Sequence, residues 1–134
     1  MCCIKEIIKN GNMQDNQKKV LYIANVASHI VAFHLPYLKW FKKEGYEVHV
    51  AINGDEEVAY ADKVWNVPFG RSITSTSNIH AYKKLRDICL EHNYELIHCH
   101  TPIAAGITRL AAMGARRNGA KVLCTYCLWF LSKS

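Results

Sequence analysis

A chain of 134 residues, half of them hydrophobic and 21% charged, has room for one domain with a real core, and that composition excludes two full domains, disorder and a fibrous repeat. Seventeen Lys and Arg against eleven Asp and Glu give a net charge of +6, which favours anionic partners such as nucleotide phosphates, lipid phosphates or nucleic acid without choosing among them. No apolar run has the length of a signal peptide or the roughly 20 residues of a membrane span. A cytoplasmic location is therefore expected, with Cys2, Cys3, Cys89, Cys99, Cys124 and Cys127 as free thiols in a reducing compartment.

Residues 1–17 end in a polar run, Asn10 to Gln17, that has neither helical nor strand period, and they read as a mobile leader. The domain is expected from Lys18 to Tyr126. Val20-Leu21-Tyr22-Ile23-Ala24 is a short apolar run suited to a strand buried on both faces, and Tyr46 to Ile52 is a second. Helical material lies between them: Pro36 suits a first turn, Tyr37, Leu38, Trp40 and Phe41 form an apolar stripe, and Gly45 supplies the stop. The stripe reads as core packing, with a membrane-surface helix as its alternative because Lys39, Lys42 and Lys43 lie beside it.

Lys63 to Val67 is a third, poorer strand, ended by Pro68 and followed by the polar loop Gly70 to Ser77. Asn78 is expected to cap a helix whose core face is Ala81, Tyr82, Leu85, Ile88 and Cys89. Glu95 to His100 is the fourth strand. It runs into Thr101-Pro102, an N-cap with proline at the first helical position. The helix that follows should turn Ile103, Ile107, Leu110 and Ala111 inward and end at Arg116, Arg117 and Gly119. Ala120 to Thr125 is the fifth strand.

Strands and helices alternating through short connections predict an α/β fold, a Rossmann-like doubly wound parallel sheet in a single domain. In the order 3-2-1-4-5, strands one and four meet at the topological switch, so the ligand crevice falls where residues 25–34 face His100 and Thr101. The N-terminus of the helix at Thr101 could bind a phosphate or a sugar oxygen, or simply be an ordinary capped helix. No Gly-x-Gly-x-x-Gly or P-loop follows the first strand, which argues against a tight dinucleotide or triphosphate cradle.

Histidines carry more information. His29 and His34 follow the first strand, and His98 and His100, two apart, end the fourth with side chains on one face. Four imidazoles at one mouth could donate hydrogen bonds to sugar hydroxyls or phosphates, act as acid or base, or bind a metal. Because no carboxylate or cysteine completes a tetrahedral set, no metal is expected. His98 reads as a core histidine, and His29 and His100 as functional. Cys124-x-x-Cys127 has the form of a redox pair or half a zinc site, but no helix N-terminus follows to activate a thiol.

The run Lys18 to Ala24, His29, Phe33 to Phe41 and Gly45 to Ala51, continued by Val67-Pro68-Phe69-Gly70-Arg71-Ser72 and Ile97-His98-Cys99-His100-Thr101-Pro102, resembles the amino-terminal, acceptor-side domain of family-4 retaining glycosyltransferases of bacterial capsular and exopolysaccharide assembly. The resemblance covers about residues 18 to 125. It implies half of a GT-B enzyme of the hexosyltransferase type: two Rossmann-like domains, the acceptor bound mainly by the first and a nucleotide-sugar donor mainly by the second. Transfer in the cleft would need no cofactor and no metal. Partners would be the nucleotide-sugar and a polysaccharide or lipid-linked acceptor, with peripheral contact to an anionic inner membrane face and no nucleic acid. By position, His29, His34, His100 and Thr101 would line the cleft, with Asn53, Gly54 and Arg71 on neighbouring loops.

The family continues after strand five with a Thr-Ala-His-Gly-Phe-like segment, whereas this sequence reads Thr125-Tyr126-Cys127-Leu128-Trp129-Phe130. Residues 127–134 thus read as an aberrant or truncated tail, consistent with a shifted reading frame. The sequence is expected to be inactive alone and prone to self-association through an uncovered sheet edge. The alternative is a non-enzymatic binding module working with a separate donor-binding subunit.

Overall fold

The computed structural model describes residues 18–124. In chain order the elements are β1 (Lys19–Ile23), α1 (Ala27–Phe33), α2 (Leu35–Lys43), β2 (Glu47–Ile52), β3 (Lys63–Asn66), α3 (Ser77–Glu91), β4 (Tyr94–Cys99), α4 (Pro102–Ala111), α5 (Met113–Arg117) and β5 (Lys121–Cys124). The leader 1–17 and the tail 127–134 lie outside the described residues, as does Cys127.

All described strands are parallel, in the order β3-β2-β1-β4-β5. The expected order and the doubly wound class are both present. Leu21 lies opposite His49 and Ile97, and Tyr22 opposite Val50 and His98. Because strand side chains alternate, this register sorts the core into two layers. On one face Leu21, Ile23, Ala51, Ile97 and Cys99 pack under α3, α4 and α5 through Ala81, Leu85, Ile88 and Ala105. On the other Val20, Tyr22, Val50, Ile52 and Leu96 pack under α1 and α2 through Ile30, Leu38 and Phe41. Each fully buried Leu, Ile or Phe contributes about 1.5–3 kcal/mol before entropy is charged. Leu38 and Phe41 face the sheet and Tyr37 and Trp40 pack partly against it, so the apolar stripe belongs to the core.

The helical segment after β1 is two helices, not one. Pro36 has no N–H to give the carbonyl four residues back, and its ring would clash there. The chain therefore closes α1 with His34 N–H donating to Ile30 O at 2.8 Å. It reopens as α2 with His34 O accepting from Tyr37 and Leu38 at 3.0 and 3.1 Å. Gly45, at φ +85°, turns the chain out of α2 at a backbone angle that costs any other residue strain.

Three expectations about α3, α4 and α5 are corrected. Asn78 lies inside α3, and its side chain does not cap the helix. Its Oδ1 accepts from Gly70 N–H at 2.7 Å and its Nδ2 donates to Ser72 O at 2.9 Å, stapling the polar loop to the helix. The inward face of α4 is Ala104, Ala105, Thr108 and Ala111, and Leu110 is 60% exposed. Because α4 is wedged between the sheet and α3, small side chains fit where large ones would clash. The helical run also breaks at Ala112 into α4 and the short α5, in which Gly114 sits where a Cβ would come within 2.8 Å of Leu90.

Cys89, Cys99 and Cys124 are free thiols. Cys99 and Cys124 are register partners on β4 and β5 with sulfurs 2.6 Å apart. Burial raises the Cys99 thiol pKa above its ordinary value, and contact with Cys124 adds to the shift. No described helix is long and apolar enough to cross a membrane.

Candidate functional site

The β1–α1 and β4–α4 loops lie side by side at the carboxyl ends of adjacent strands. His100 N–H donates to Ile23 O at 3.0 Å, carrying the β1–β4 ladder one residue beyond β4. Asn25 then ties three loops together: its carbonyl accepts from Asn53 N–H at 3.0 Å, and its side-chain Oδ1 accepts from the Thr101 hydroxyl at 2.8 Å. Thr101 caps α4 by backbone geometry alone, with no side-chain cap bond, because its hydroxyl is committed to Asn25.

His98 and His100 point to the face covered by α1 and α2, where Tyr22 stands between the sheet and the helices. The imidazoles form a continuous cluster in which His34 and His100 are stacked and the other pairs are tilted or edge-on. The ring centroids of His34 and His100 are 3.6 Å apart and those of His98 and His100 3.9 Å. His29 lies 5.5 Å from His34 and 6.0 Å from His100. Tyr22 stacks on His100 at 5.3 Å and lies 5.1 Å from His98. His98 and His100 are buried and His29 and His34 half-buried, so in place of the expected open mouth the rings form a cluster largely closed from solvent.

Burial sets the charge of these rings, since desolvation disfavours imidazolium. It lowers His29, and together with the neighbouring His29 it takes His34 to about 4. Burial and then His34 take His98 to about 3. His100 is lowered by burial first and then by His98, His34 and His29. At neutral pH the stack is therefore uncharged, and each ring offers one N–H donor and one bare nitrogen acceptor. His29 Nε2, both ring nitrogens of His34 and the Tyr22 hydroxyl are buried without a hydrogen-bond partner among the described residues. Such groups are normally paired. One nitrogen from each of His29, His34 and His100 lies within 4.8 Å of the others, a grouping able to hold a metal ion.

The structure thus brings His29, His34 and His100 together, with Thr101 beside them and Asn53 one loop away. Asn53 Nδ2 donates to Phe69 O at 2.8 Å and Gly54 N–H to Asn66 Oδ1 at 3.1 Å, so both serve the β2–β3 connection. Arg71 is exposed on the loop that follows. Asn25 and Tyr22 were not picked out as site residues from sequence, although Asn25 follows the first strand directly.

A second polar cluster sits at the opposite end of the sheet, on the other face. His49 Nδ1 lies 2.6 Å from the Tyr94 hydroxyl and accepts from Trp65 Nε1 at 3.3 Å, while its Nε2 lies 2.6 Å from Glu47 Oε1. An indole can only donate, which assigns the bare nitrogen to Nδ1 and the proton to Nε2. That proton binds Glu47, and this bond is the main cause lowering the Glu47 pKa.

The family described as glycosyl transferase 4-like matches residues 19–129. EpsD of Bacillus subtilis (strain 168), which carries the name of a glycosyltransferase, is 46% identical over 108 residues, 81% of this chain and 28% of that protein's length. Among solved structures, a UDP-N-acetylglucosamine 2-epimerase superposes with a TM-score of 0.59 at 14% identity, over 82% of this chain and 33% of its own. The C-terminal domain of a hydrogenase from Pyrococcus furiosus gives a TM-score of 0.55 at 16% identity, over 84% of this chain and 94% of its own. At such identities the two structures share the fold alone.

Proposed function

The chain belongs to the glycosyl transferase 4-like family, and from that premise we propose that it forms the acceptor-side domain of a retaining glycosyltransferase of exopolysaccharide or capsular assembly. In this reading a sugar passes from a nucleotide-sugar donor to a polysaccharide or lipid-linked acceptor. The observation that carries it is the junction of the β1–α1 and β4–α4 loops, where His29, His34 and His100 converge at the topological switch. Open α/β sheets bind their ligands at that place.

Uncharged imidazoles suit saccharide hydroxyls, because each can accept one hydroxyl proton and donate another hydrogen bond without the desolvation cost of an ion. His29 and His34, half-buried and with unpaired ring nitrogens, are the groups an acceptor reaches first. His98 and His100 support them from below. The positive end of α4 beyond Thr101 favours a phosphate or a developing oxyanion in the cleft. A lipid-linked acceptor would bring the domain to an anionic cytoplasmic membrane face, where the basic surface and the exposed Phe33 of α1 would meet it. The donor is held mainly by a second domain, so residues 1–134 alone bind acceptor without completing transfer.

Saturation-transfer and ring-resonance NMR of this chain with short oligosaccharide acceptors and, separately, nucleotide-sugars tests the reading. Saccharide binding that shifts the His29 and His34 resonances is expected, with weaker nucleotide-sugar binding. Nucleotide-sugar binding alone, or saccharide contact away from those rings, overturns it.

A further inference from the structure

We infer that His29, His34 and His100 form a three-imidazole site for a divalent transition metal of the zinc type, with the fourth position open to water or a substrate oxygen. It goes beyond the transfer reading, which needs no metal, and departs from the expectation that a missing carboxylate or cysteine leaves the set incomplete. Three histidines and an exchangeable ligand make a complete tetrahedral zinc site.

The donors come from two directions. His29 lies on α1 and His34 at the break between α1 and α2, while His100 projects from the sheet. Their ligand nitrogens lie within 4.8 Å of one another. Tetrahedral coordination with Zn–N near 2.0–2.1 Å requires nitrogens about 3.3 Å apart, a contraction of about 1.5 Å at most that ring rotations at half-buried His29 and His34 can supply. Imidazole is a ligand zinc, cobalt, nickel and copper share.

One observation besides proximity points to a ligand. His29 Nε2 and both His34 nitrogens are buried with no hydrogen-bond partner among the described residues, and so is the hydroxyl of Tyr22, which is fully buried and whose ring contacts His34 and His100. An ion here would pin α1 to the β4–α4 loop and take up the imidazoles that an acceptor would otherwise engage.

The test uses the full chain stripped with a chelator and titrated with Zn2+ alone against a chromophoric competitor, then with Co2+ followed by visible absorption. One ion per chain is expected, with the intense bands of four-coordinate cobalt. His29→Ala and His34→Ala should each weaken binding by at least about tenfold, the loss known for even outer-shell partners, and His80→Ala, exposed on α3, should not. Circular dichroism checks folding, and His29→Ala, at a half-buried position, decides the matter if His34→Ala does not fold. Absence of saturable binding, affinity unchanged in the folded variants, or the weak spectrum of six-coordinate cobalt overturns the site. Metal binding without saccharide binding upholds it while removing the transfer reading.

Discussion

Thr101 donates its hydroxyl proton to the side-chain oxygen of Asn25 across 2.8 Å, joining loops whose residues stand 76 apart in the chain. Asn25→Ala and Thr101→Val should each destabilise the fold, and the double variant should cost less than their sum by about 0.5–1.5 kcal/mol, the net worth of such a bond. Urea unfolding of the four proteins measures this. Strict additivity would show that the two loops are held in place by other contacts.

Acid should weaken the domain through its imidazole stack. An unfolded histidine takes up its proton near the ordinary value of 6.5, whereas folded His34 does so at about 4 and His98 at about 3. The unfolded chain thus binds more protons in that window. Stability is complete above 6.5 and is lost as pH falls from 6.5 through 4 toward 3. Thermal melts in chelator-containing buffer follow the loss, and a melting temperature constant from 6.5 to 4 would contradict it.

The outward placement of Leu110 on α4 can be tested against a buried leucine of α3. Leu85, fully buried in α3, should lose about 2–5 kcal/mol on truncation to Ala. Leu110→Ala, at an exposed position of α4, should stay within about 0.5 kcal/mol. Equal losses in denaturant titrations would restore Leu110 to the core.

His49 holds three partners at the far end of the sheet. His49→Leu leaves the buried Tyr94 hydroxyl proton without its acceptor and should cost about 1–3 kcal/mol. Tyr94→Phe removes one bond and should cost about 1 kcal/mol. A neutral His49→Leu variant would mean that water replaces the ring.

Acceptor binding should depend on His29 and His34 and not on Arg71. Each imidazole–hydroxyl bond is worth about 1 kcal/mol, so His29→Ala should weaken oligosaccharide binding by roughly fivefold to tenfold. Arg71→Ala, an exposed loop residue, should leave it unchanged. The reverse order in a titration would move the acceptor site to the Gly70–Ser77 loop.

Sequence carried the sheet well because its signals are local. Runs such as Val20 to Ala24 and Leu96 to Cys99 are apolar on both faces, which parallel strands between helix layers require, and the short connections leave few topologies. His98 and His100 were legible as a pair for the same reason, since residues two apart on a strand share a face. What escaped depends on tertiary packing. The inward face of α4 was chosen by the width of the gap beside α3, which turned small Ala104 and Ala105 inward and left Leu110 outside. Thr101 looked like a helix cap until Asn25, far away in the chain, claimed its hydroxyl. The openness of the site was misjudged because no local pattern shows that α1 folds back over the stack.

Tyr22 belongs at once to the hydrophobic layer beneath α2, through Phe41, and to the imidazole stack, through His98 and His100. The imidazole cluster and the hydrophobic layer are in that sense one object, so a substitution at position 98 or 100 also repacks the layer. His29 and Phe33 on α1 are partly exposed, and their chemistry can change while the interior stays as it is.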